Sequence, residues 1–213
     1  MQEASTKVIY DVQSKFYDRT FGRLVQRRIA GALTHFHIGR HDKVLDLGIG
    51  TGASLQYYLR DRGHIFGIDL STGMLQQCRQ RLADQGRTNA TLFQANALEL
   101  PFADNVFDHV FISHVISVVS DPVSLVREAQ RVAKVGARIV IVNHFASPNR
   151  FIALLEKWLC PLCNKLGWRS DLELADLIRR TGVEIDYRYK LENIDLFETV
   201  VMTNNKSAMA VAV

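Results

Sequence analysis

Three glycines and an aspartate form the most informative pattern in the sequence. The segment VLDLGIGTG places Gly48, Gly50 and Gly52 directly after a short apolar run, and Asp69 follows about 20 residues later. Glycine permits a tight turn and the close approach of a ligand to the backbone, and a helix that begins there offers free N–H groups. An acid at the end of the next strand can accept hydrogen bonds from both hydroxyls of a ribose.

This pattern fits two classes of cofactor. Gly48, Gly50 and Ala53 satisfy the relaxed dinucleotide fingerprint, so the glycines alone also allow a nicotinamide-dependent oxidoreductase. Asp46, two residues before Gly48, favours the second class. A carboxylate there would repel a pyrophosphate but would suit the cationic amino and sulfonium groups of S-adenosylmethionine. A strand-to-helix turn without a ligand is the third alternative, which the joint spacing of loop and acid disfavours.

Alternating strands and helices must position these residues. Short apolar runs predict strands, and helical periodicity predicts the helices between them, the third of which begins with Ser71 as N-cap. The predicted strands are residues 43–48, 64–69, 91–95, 106–112 and 137–145. The predicted helices are residues 11–37, 51–61, 71–85 and 121–134. Such alternation implies βαβ units, right-handed crossovers and a mostly parallel sheet.

The C-terminal part predicts an antiparallel end to that sheet. After residue 150, two helical stretches precede apolar runs at 183–191 and 195–203. The two runs are too close for a helical crossover, so they must pair as an antiparallel hairpin or with neighbours across a short turn. The length of 213 residues suits one domain. We therefore expect an α/β fold in residues 41–213, with an antiparallel last strand and amphipathic helices in residues 1–40.

Three motifs in order resemble the class I methyltransferases that use S-adenosylmethionine. VLDLGIGTG is similar to their first motif, GIDLSTGML (67–75) to the second, and NALELPFADNVFDHV (96–110) to the segment that holds adenine. The resemblance covers roughly residues 40–145 and implies a Rossmann-like methyltransferase domain with S-adenosylmethionine as cofactor. In addition to the glycine loop, Asp46 and Asp69, it implies a cofactor site that includes Leu70, Met74, Asn96, Ala97 and Ser113.

Within that resemblance, Asp69 holds the ribose, Leu70 and Met74 flank the adenine, and the edge of the adenine meets Asn96 and Ala97. Asn96 departs from the family, which usually has aspartate there. An amide oxygen can still accept a hydrogen bond from the adenine amino group, so we expect binding to survive.

The regions outside the cofactor motifs resemble the small bacterial phosphatidylethanolamine N-methyltransferases. The likeness lies in YDRTFGRL (17–24), ISHVISVVSDP (112–122), IVIVNHFAS (139–147) and LGWRSDLEL (166–174). It implies a phospholipid substrate and methyl transfer to the amine of phosphatidylethanolamine, in one step or in successive steps to phosphatidylcholine. Ubiquinone-pathway C-methyltransferases share many of these features. A C- or O-methyltransferase of a quinone or other small apolar acceptor therefore stays open, as does a catalytically silent lipid-binding protein.

Methylation of an amine needs a neutral nitrogen, whereas a primary ammonium has a pKa near ~10. An imidazole or phenol can take the proton, directly or through water. His144 and Asn143 end one predicted strand and His114 follows another, at the edge where ligands of open α/β sheets bind. Tyr17 could reach over the site, because N-terminal helices act as lids in this family. A structural hydrogen bond is the alternative role for each histidine.

Basic residues are concentrated at the N-terminus. The formal net charge is +4, and all of that excess falls within residues 1–40. Arg19, Arg23 and Arg27 recur every four residues beside an apolar stripe, which describes a helix that lies on an anionic membrane. A helix packed on the domain with a solvated basic face is the alternative. Nucleic acid is disfavoured because no recognition motif accompanies the charge.

The cysteines and the hydropathy point to a peripheral location in the cytoplasm. The chain has three cysteines, no secretory signal and no apolar run near the ~20 residues that a membrane span needs. Cys160 and Cys163 have the spacing of a zinc-binding pair, but no second pair or histidine cluster accompanies them. We therefore expect no metal.

Overall fold

The computed structural model describes residues 22–145, 172–192, 195 and 197–206, with the side chains of residues 22–25 left out. The helices in this part of the chain are α1 (Gly22–Leu33), α2 (Thr72–Asp84), α3 (Pro122–Val132) and α4 (Leu174–Thr181). The strands are β1 (Lys43–Leu47), β2 (His64–Asp69), β3 (Ala90–Gln94), β4 (Phe107–Ser113), β5 (Ala133–His144), β6 (Tyr187–Tyr189) and β7 (Phe197–Thr203).

The strands form one sheet in the order β3-β2-β1-β4-β5-β7-β6. Strands β1 to β5 are parallel, whereas β7 pairs antiparallel with β5 and β6 pairs antiparallel with β7. The predicted fold class, a mostly parallel sheet with an antiparallel end, is therefore confirmed. The strand order reverses between β1 and β4, and ligands of open α/β sheets bind at the carboxyl ends of the strands beside such a reversal.

Both faces of the sheet are covered by helices. Successive strand residues point to opposite faces, so Val44 packs in the layer that contains α1 and α2, while Leu45 packs in the layer that contains α3 and α4. Both side chains are fully buried. Full burial of one such side chain contributes about 1.5–3 kcal/mol, which explains why the central strands are nearly continuous apolar runs.

The helix starts follow their capping residues. Ser71 precedes α2 and its side chain accepts a hydrogen bond from the backbone N–H of Met74, as predicted. Asp121 precedes α3 and accepts from the N–H groups of Val123 and Ser124. No helix of the described residues has the length and apolar character to cross a membrane.

The predicted helix at residues 51–61 is wrong. The segment forms turns with one short 3-10 turn, Leu55–Tyr57. Gly52 has a φ of +81°, which no α-helix contains, and the hydroxyl groups of Ser54 and Tyr58 both turn inward to the carboxylate of Asp46. The connection between β1 and β2 is therefore held by side-chain hydrogen bonds to Asp46 and not by the backbone hydrogen bonds of an α-helix.

Two other boundaries differ from the sequence expectation. The strand predicted at 183–191 is only Tyr187–Tyr189, because it lies at the edge of the sheet and pairs on one side alone. The part of the predicted N-terminal helix before residue 22 and the predicted helical stretch before 172 lie outside the described residues. The division of the chain into residues 1–40 and 41–213 stays a prediction.

Candidate cofactor and acceptor site

A cavity opens at the carboxyl ends of β1, β2 and β4, at the reversal of the strand order. Its walls come from the glycine loop, the end of β2, residues 95–97, the segment 113–119 and Ile29 of α1. Of the predicted cofactor residues, nine line this cavity: Asp46, Gly48, Gly50, Asp69, Leu70, Met74, Asn96, Ala97 and Ser113. Gly52 lies outside the wall.

The three glycines of the loop all have positive φ, but they serve different purposes. A Cβ on Gly48 would lie 1.9 Å from Val115 Cγ2, and a Cβ on Gly52 would lie 2.8 Å from Cys78 Sγ on α2. A Cβ on Gly50 would meet nothing closer than 3.9 Å. Gly48 and Gly52 therefore allow the loop to pack, whereas Gly50 leaves open space on the cavity side.

Asp69 closes the loop from the neighbouring strand. Its Oδ2 accepts a hydrogen bond from Gly50 N at 3.0 Å, and its Oδ1 accepts from Ser71 N at 2.8 Å. A carboxylate oxygen can accept more than one hydrogen bond, so these contacts do not exclude the two hydroxyls of a ribose.

Asp46 is the buried acid of the site, with 1% of its surface exposed. Its Oδ2 accepts from Ser54 Oγ at 2.6 Å and from Tyr58 Oη at 3.0 Å. Burial raises the pKa of Asp46 to about 7, the two hydroxyl donors oppose this rise, and the charge of Asp69 adds to it. A cation placed beside Asp46 would stabilise its ionised form.

The residues of the cavity fit S-adenosylmethionine. Asp46 supplies the negative charge that a sulfonium or amino group requires, and Asp69 supplies ribose acceptors. Ser113 Oγ is enclosed and has no hydrogen-bond partner among the residues described, so a polar group of a ligand would satisfy it. Asn96 Oδ1 accepts from Leu98 N at 2.9 Å, so its side chain also shapes its own turn.

His114 follows β4 and lines the same cavity. Its backbone has a φ of +59°, held by a hydrogen bond from its N–H to Val142 O at 2.8 Å. Its ring packs edge-on against Phe197, with centroids 4.8 Å apart. Nε2 is enclosed without a hydrogen-bond partner in the described part of the chain. Burial, then the charge of Arg28, lowers the pKa of His114 to about 4, while Asp195 opposes this shift.

Two other predicted catalytic residues, His144 and Asn143, do not line the cavity. His144 is buried, with its ring centroid 6.2 Å from that of Phe197. Asn143 is buried as well: its Oδ1 accepts from Ser117 Oγ at 3.2 Å and its Nδ2 donates to His144 O at 2.6 Å. Tyr17 lies outside the described residues.

Sequence reasoning missed several residues of this site. Ser54 and Tyr58 belong to no motif, and their hydroxyl groups become significant only because they meet Asp46. Arg28 and Asp195 are 167 residues apart and form an ion pair beside Phe197. No local spacing could have joined them.

Among the described residues, no group of three or more histidine, cysteine, aspartate or glutamate side chains is arranged to hold a metal ion. Cys160 and Cys163 lie outside that part of the chain.

Comparison with known proteins agrees with this fold and cavity. The profile of a methyltransferase domain family matches residues 45–141. A phosphatidylethanolamine N-methyltransferase of Cereibacter sphaeroides is 38% identical over 170 residues, covering 79% of this chain and 83% of that protein. A demethylmenaquinone methyltransferase of Thermobifida fusca is 35% identical over 152 residues, covering 71% of this chain and 60% of that protein.

A solved structure extends the comparison over more of the chain. The SAM-dependent methyltransferase of Aquifex aeolicus superposes with a TM-score of 0.68 at 18% identity, covering 90% of this chain and 97% of that one. The chain therefore belongs to the class I S-adenosylmethionine-dependent methyltransferases, and S-adenosylmethionine is its cofactor. Within that class it is similar to proteins named for a phospholipid amine and to proteins named for a quinone.

Proposed function

We propose that the protein methylates the amine of phosphatidylethanolamine, in one step or in successive steps to phosphatidylcholine. The observation that carries this proposal is the reach of the likeness to the Cereibacter sphaeroides enzyme, which extends over 83% of that protein. Because the match is 170 residues long, it extends beyond the cofactor motifs, which cover roughly residues 40–145. The menaquinone relative is matched over a smaller share, 60% of its length.

When bound, the cofactor supplies a methyl group on a positively charged sulfur. Asp46 lies in the cavity wall, and its ionised carboxylate offsets that positive charge. Asp69 orients the ribose by hydrogen bonding. Gly48 and Gly50 keep side-chain atoms out of the space beside the loop. These residues bind and orient the cofactor, and the acceptor nitrogen must approach from the side of His114.

His114 orients the acceptor amine. It lines the cavity, and its lowered pKa, about 4, keeps the ring neutral at physiological pH. A neutral imidazole can accept a hydrogen bond from the substrate nitrogen without adding another positive charge to the site. Because so weak a base cannot hold a proton from an ammonium of pKa near ~10, the proton passes on to water. His144 contacts the same Phe197 but does not line the cavity.

The basic N-terminal helix brings the enzyme to its substrate by lying on anionic membranes, with residues 1–40 as a lid. In α1, Arg27 is exposed, whereas Ile29 is buried and lines the cavity. Charged side chains on one face and apolar side chains on the other suit a helix between the headgroups and the domain.

The direct test offers the purified protein methyl-labelled S-adenosylmethionine with vesicles that contain phosphatidylethanolamine and, in a parallel reaction, with demethylmenaquinol. Mass spectrometry should detect mono-, di- or trimethylated lipid, and His114→Ala should lower turnover more than His144→Ala while leaving binding of S-adenosylhomocysteine near wild type. Label in a demethylmenaquinol instead would support the quinone alternative, which the Thermobifida fusca relative favours. Cofactor binding without any methylated product would indicate a silent lipid-binding protein.

A further inference from the structure

An ion pair between two residues far apart in the sequence, Arg28 and Asp195, lies beside the ring of Phe197. Arg28 Nε lies 3.0 and 2.9 Å from the two carboxylate oxygens of Asp195, and Arg28 Nη2 lies 2.6 Å from Oδ1. The side chains are only 15% and 4% exposed. A bidentate ion pair that is shielded from water has a better-defined geometry than an exposed pair. The pair therefore connects α1 to the segment before β7.

Asp195 is itself fixed by its neighbours. Its Oδ1 accepts from Phe197 N at 3.0 Å, its carbonyl oxygen accepts from Lys190 Nζ at 2.9 Å, and its N–H donates to Glu192 O. These contacts fix the carboxylate of Asp195 in the position where it pairs with Arg28.

Phe197 connects this pair to His114. The guanidinium carbon of Arg28 lies 4.6 Å from the centroid of the Phe197 ring, within the range of cation–π attraction. The His114 ring meets the same phenyl ring at 4.8 Å and 80°. Phe197 thus contacts both the guanidinium of Arg28 and the imidazole of His114, which lines the cavity.

We propose that the Arg28–Asp195 ion pair is a positioning element for methyl transfer, which through Phe197 holds the ring of His114 at the cavity wall. This inference rests on the proposed amine methylation. An uncharged ring matters there because the cofactor already brings a positive sulfur and the acceptor enters as an ammonium. A protonated His114 would repel both charges and would lose the lone pair that accepts from the amine.

The charges around His114 act in the expected directions. Arg28 on α1 lowers its pKa and Asp195 before β7 raises it, with the effect of Arg28 the larger of the two. His144 on β5 contacts the same Phe197 ring. Burial is the largest cause of the lowered pKa of His114, and the net effect of the ion pair adds to it.

The test measures the pKa of His114 by NMR in the full-length protein, with His114→Gln to assign the signal. Arg28→Gln removes the positive charge and should raise this pKa by about one unit. Asp195→Asn keeps an acceptor for Arg28 but removes the negative charge, and should lower the pKa. Arg28→Lys keeps a cation and should leave it near wild type. If the ion pair has only a structural role, both Arg28→Gln and Asp195→Asn should shift the pKa of His114 in the same direction, toward the ordinary value of histidine.

Turnover gives a second and separate result. On phosphatidylethanolamine vesicles, Arg28→Gln should lower kcat by about tenfold or more, because displacement of a positioning group is costly. Arg28→Lys should recover part of that loss, and calorimetry should find the affinity for S-adenosylhomocysteine within about threefold of wild type. Equal pKa values for His114 in wild type and Arg28→Gln would overturn the inference. A wild type that ignores phosphatidylethanolamine would instead refute the proposed function, and the titration would still decide the coupling.

Discussion

The carboxylate of Asp69 accepts hydrogen bonds from the backbone N–H groups of both Gly50 and Ser71, at 3.0 and 2.8 Å. It therefore ties the loop after β1 to the N-cap residue of α2. The side chain proposed to hold the ribose also holds the shape of the loop beside it, so ligand binding and local folding depend on one group.

Replacement of Asp69 by alanine should weaken the binding of S-adenosylhomocysteine at least about tenfold, since hydrogen bonds to a charged group contribute roughly 1.5–3 kcal/mol. Asp69→Asn should lose less, because its amide oxygen still accepts one of the two backbone donors. Isothermal calorimetry measures both. The control is Asp84→Ala, which removes an exposed acid at the end of α2. Wild-type affinity in folded Asp69→Ala would refute the ribose assignment.

The glycines of the loop should separate stability from binding. Gly48→Ala should destabilise the fold strongly, because its Cβ would overlap Val115 and its φ is +69°. Gly50→Ala has no such overlap, so it should cost about 1 kcal/mol of backbone strain but should weaken cofactor binding on the cavity side. Gly86→Ala, with a φ of +58° in open space far along the chain, is the control for strain alone.

Thermal unfolding and calorimetry measure these three variants. If Gly48→Ala and Gly86→Ala lose equal stability, the close approach to Val115 does not constrain the loop. If Gly50→Ala binds S-adenosylhomocysteine as tightly as Gly86→Ala does, Gly50 does not face the ligand.

Asp46 should make the stability of the ligand-free protein fall with rising pH. Its folded pKa of about 7 lies above its ordinary value of 3.8. The contribution of the protonated acid is therefore full below pH 3.8 and is lost as the pH rises through 7. Asp46→Asn removes this dependence, so at pH 8 the variant should melt higher than wild type, by about 2–4 °C per kcal/mol of penalty removed.

The same variant should bind S-adenosylmethionine more weakly, because the positive sulfur loses its counter-charge. S-adenosylhomocysteine lacks that charge and should be affected less. Melting curves at pH 5 and pH 8, together with calorimetry on both ligands, test the two effects. Parallel pH profiles for Asp46→Asn and wild type would show that Asp46 is not the group that titrates.

Membrane docking should depend on the basic stripe of the N-terminal helix. Each base near an anionic surface contributes about 1 kcal/mol, so the triple change Arg19, Arg23 and Arg27→Gln should weaken vesicle binding by roughly two orders of magnitude. The binding should also fall with added salt, because the Debye length shrinks from about 10 Å at 0.1 M to about 3 Å at 1 M. Co-sedimentation with neutral and anionic vesicles measures both effects.

The matched control removes three exposed arginines elsewhere. Arg60 and Arg62 precede the amino end of β2 and Arg79 lies on α2, so all three are exposed and lie outside residues 1–40. Their change to glutamine alters the net charge equally. If this control and the N-terminal variant lose equal binding, only net charge matters. If neither responds to anionic lipid, the stripe is a solvated face.

Local patterns were sufficient for much of the fold. Ser71 could be recognised as an N-cap because the hydroxyl, the following helical period and the preceding strand are all encoded within a few residues. The turns of the segment 51–61 could not be predicted in this way, because its path depends on hydrogen bonds from Ser54 and Tyr58 to the carboxylate of Asp46 on β1. A buried hydrogen bond between elements leaves no periodic trace in the sequence.

For the site, the sequence alone determined the cofactor side. Gly48, Gly50, Asp46 and Asp69 stand at spacings set by one strand, one turn and the next strand, and a βαβ unit brings such residues together wherever it folds. Only the tertiary structure decided which of the predicted histidines lines the cavity. His114 does, whereas His144, which contacts Phe197, does not. That arrangement follows from long-range packing of α1 and the antiparallel strand β7 against the sheet, which a linear spacing does not encode.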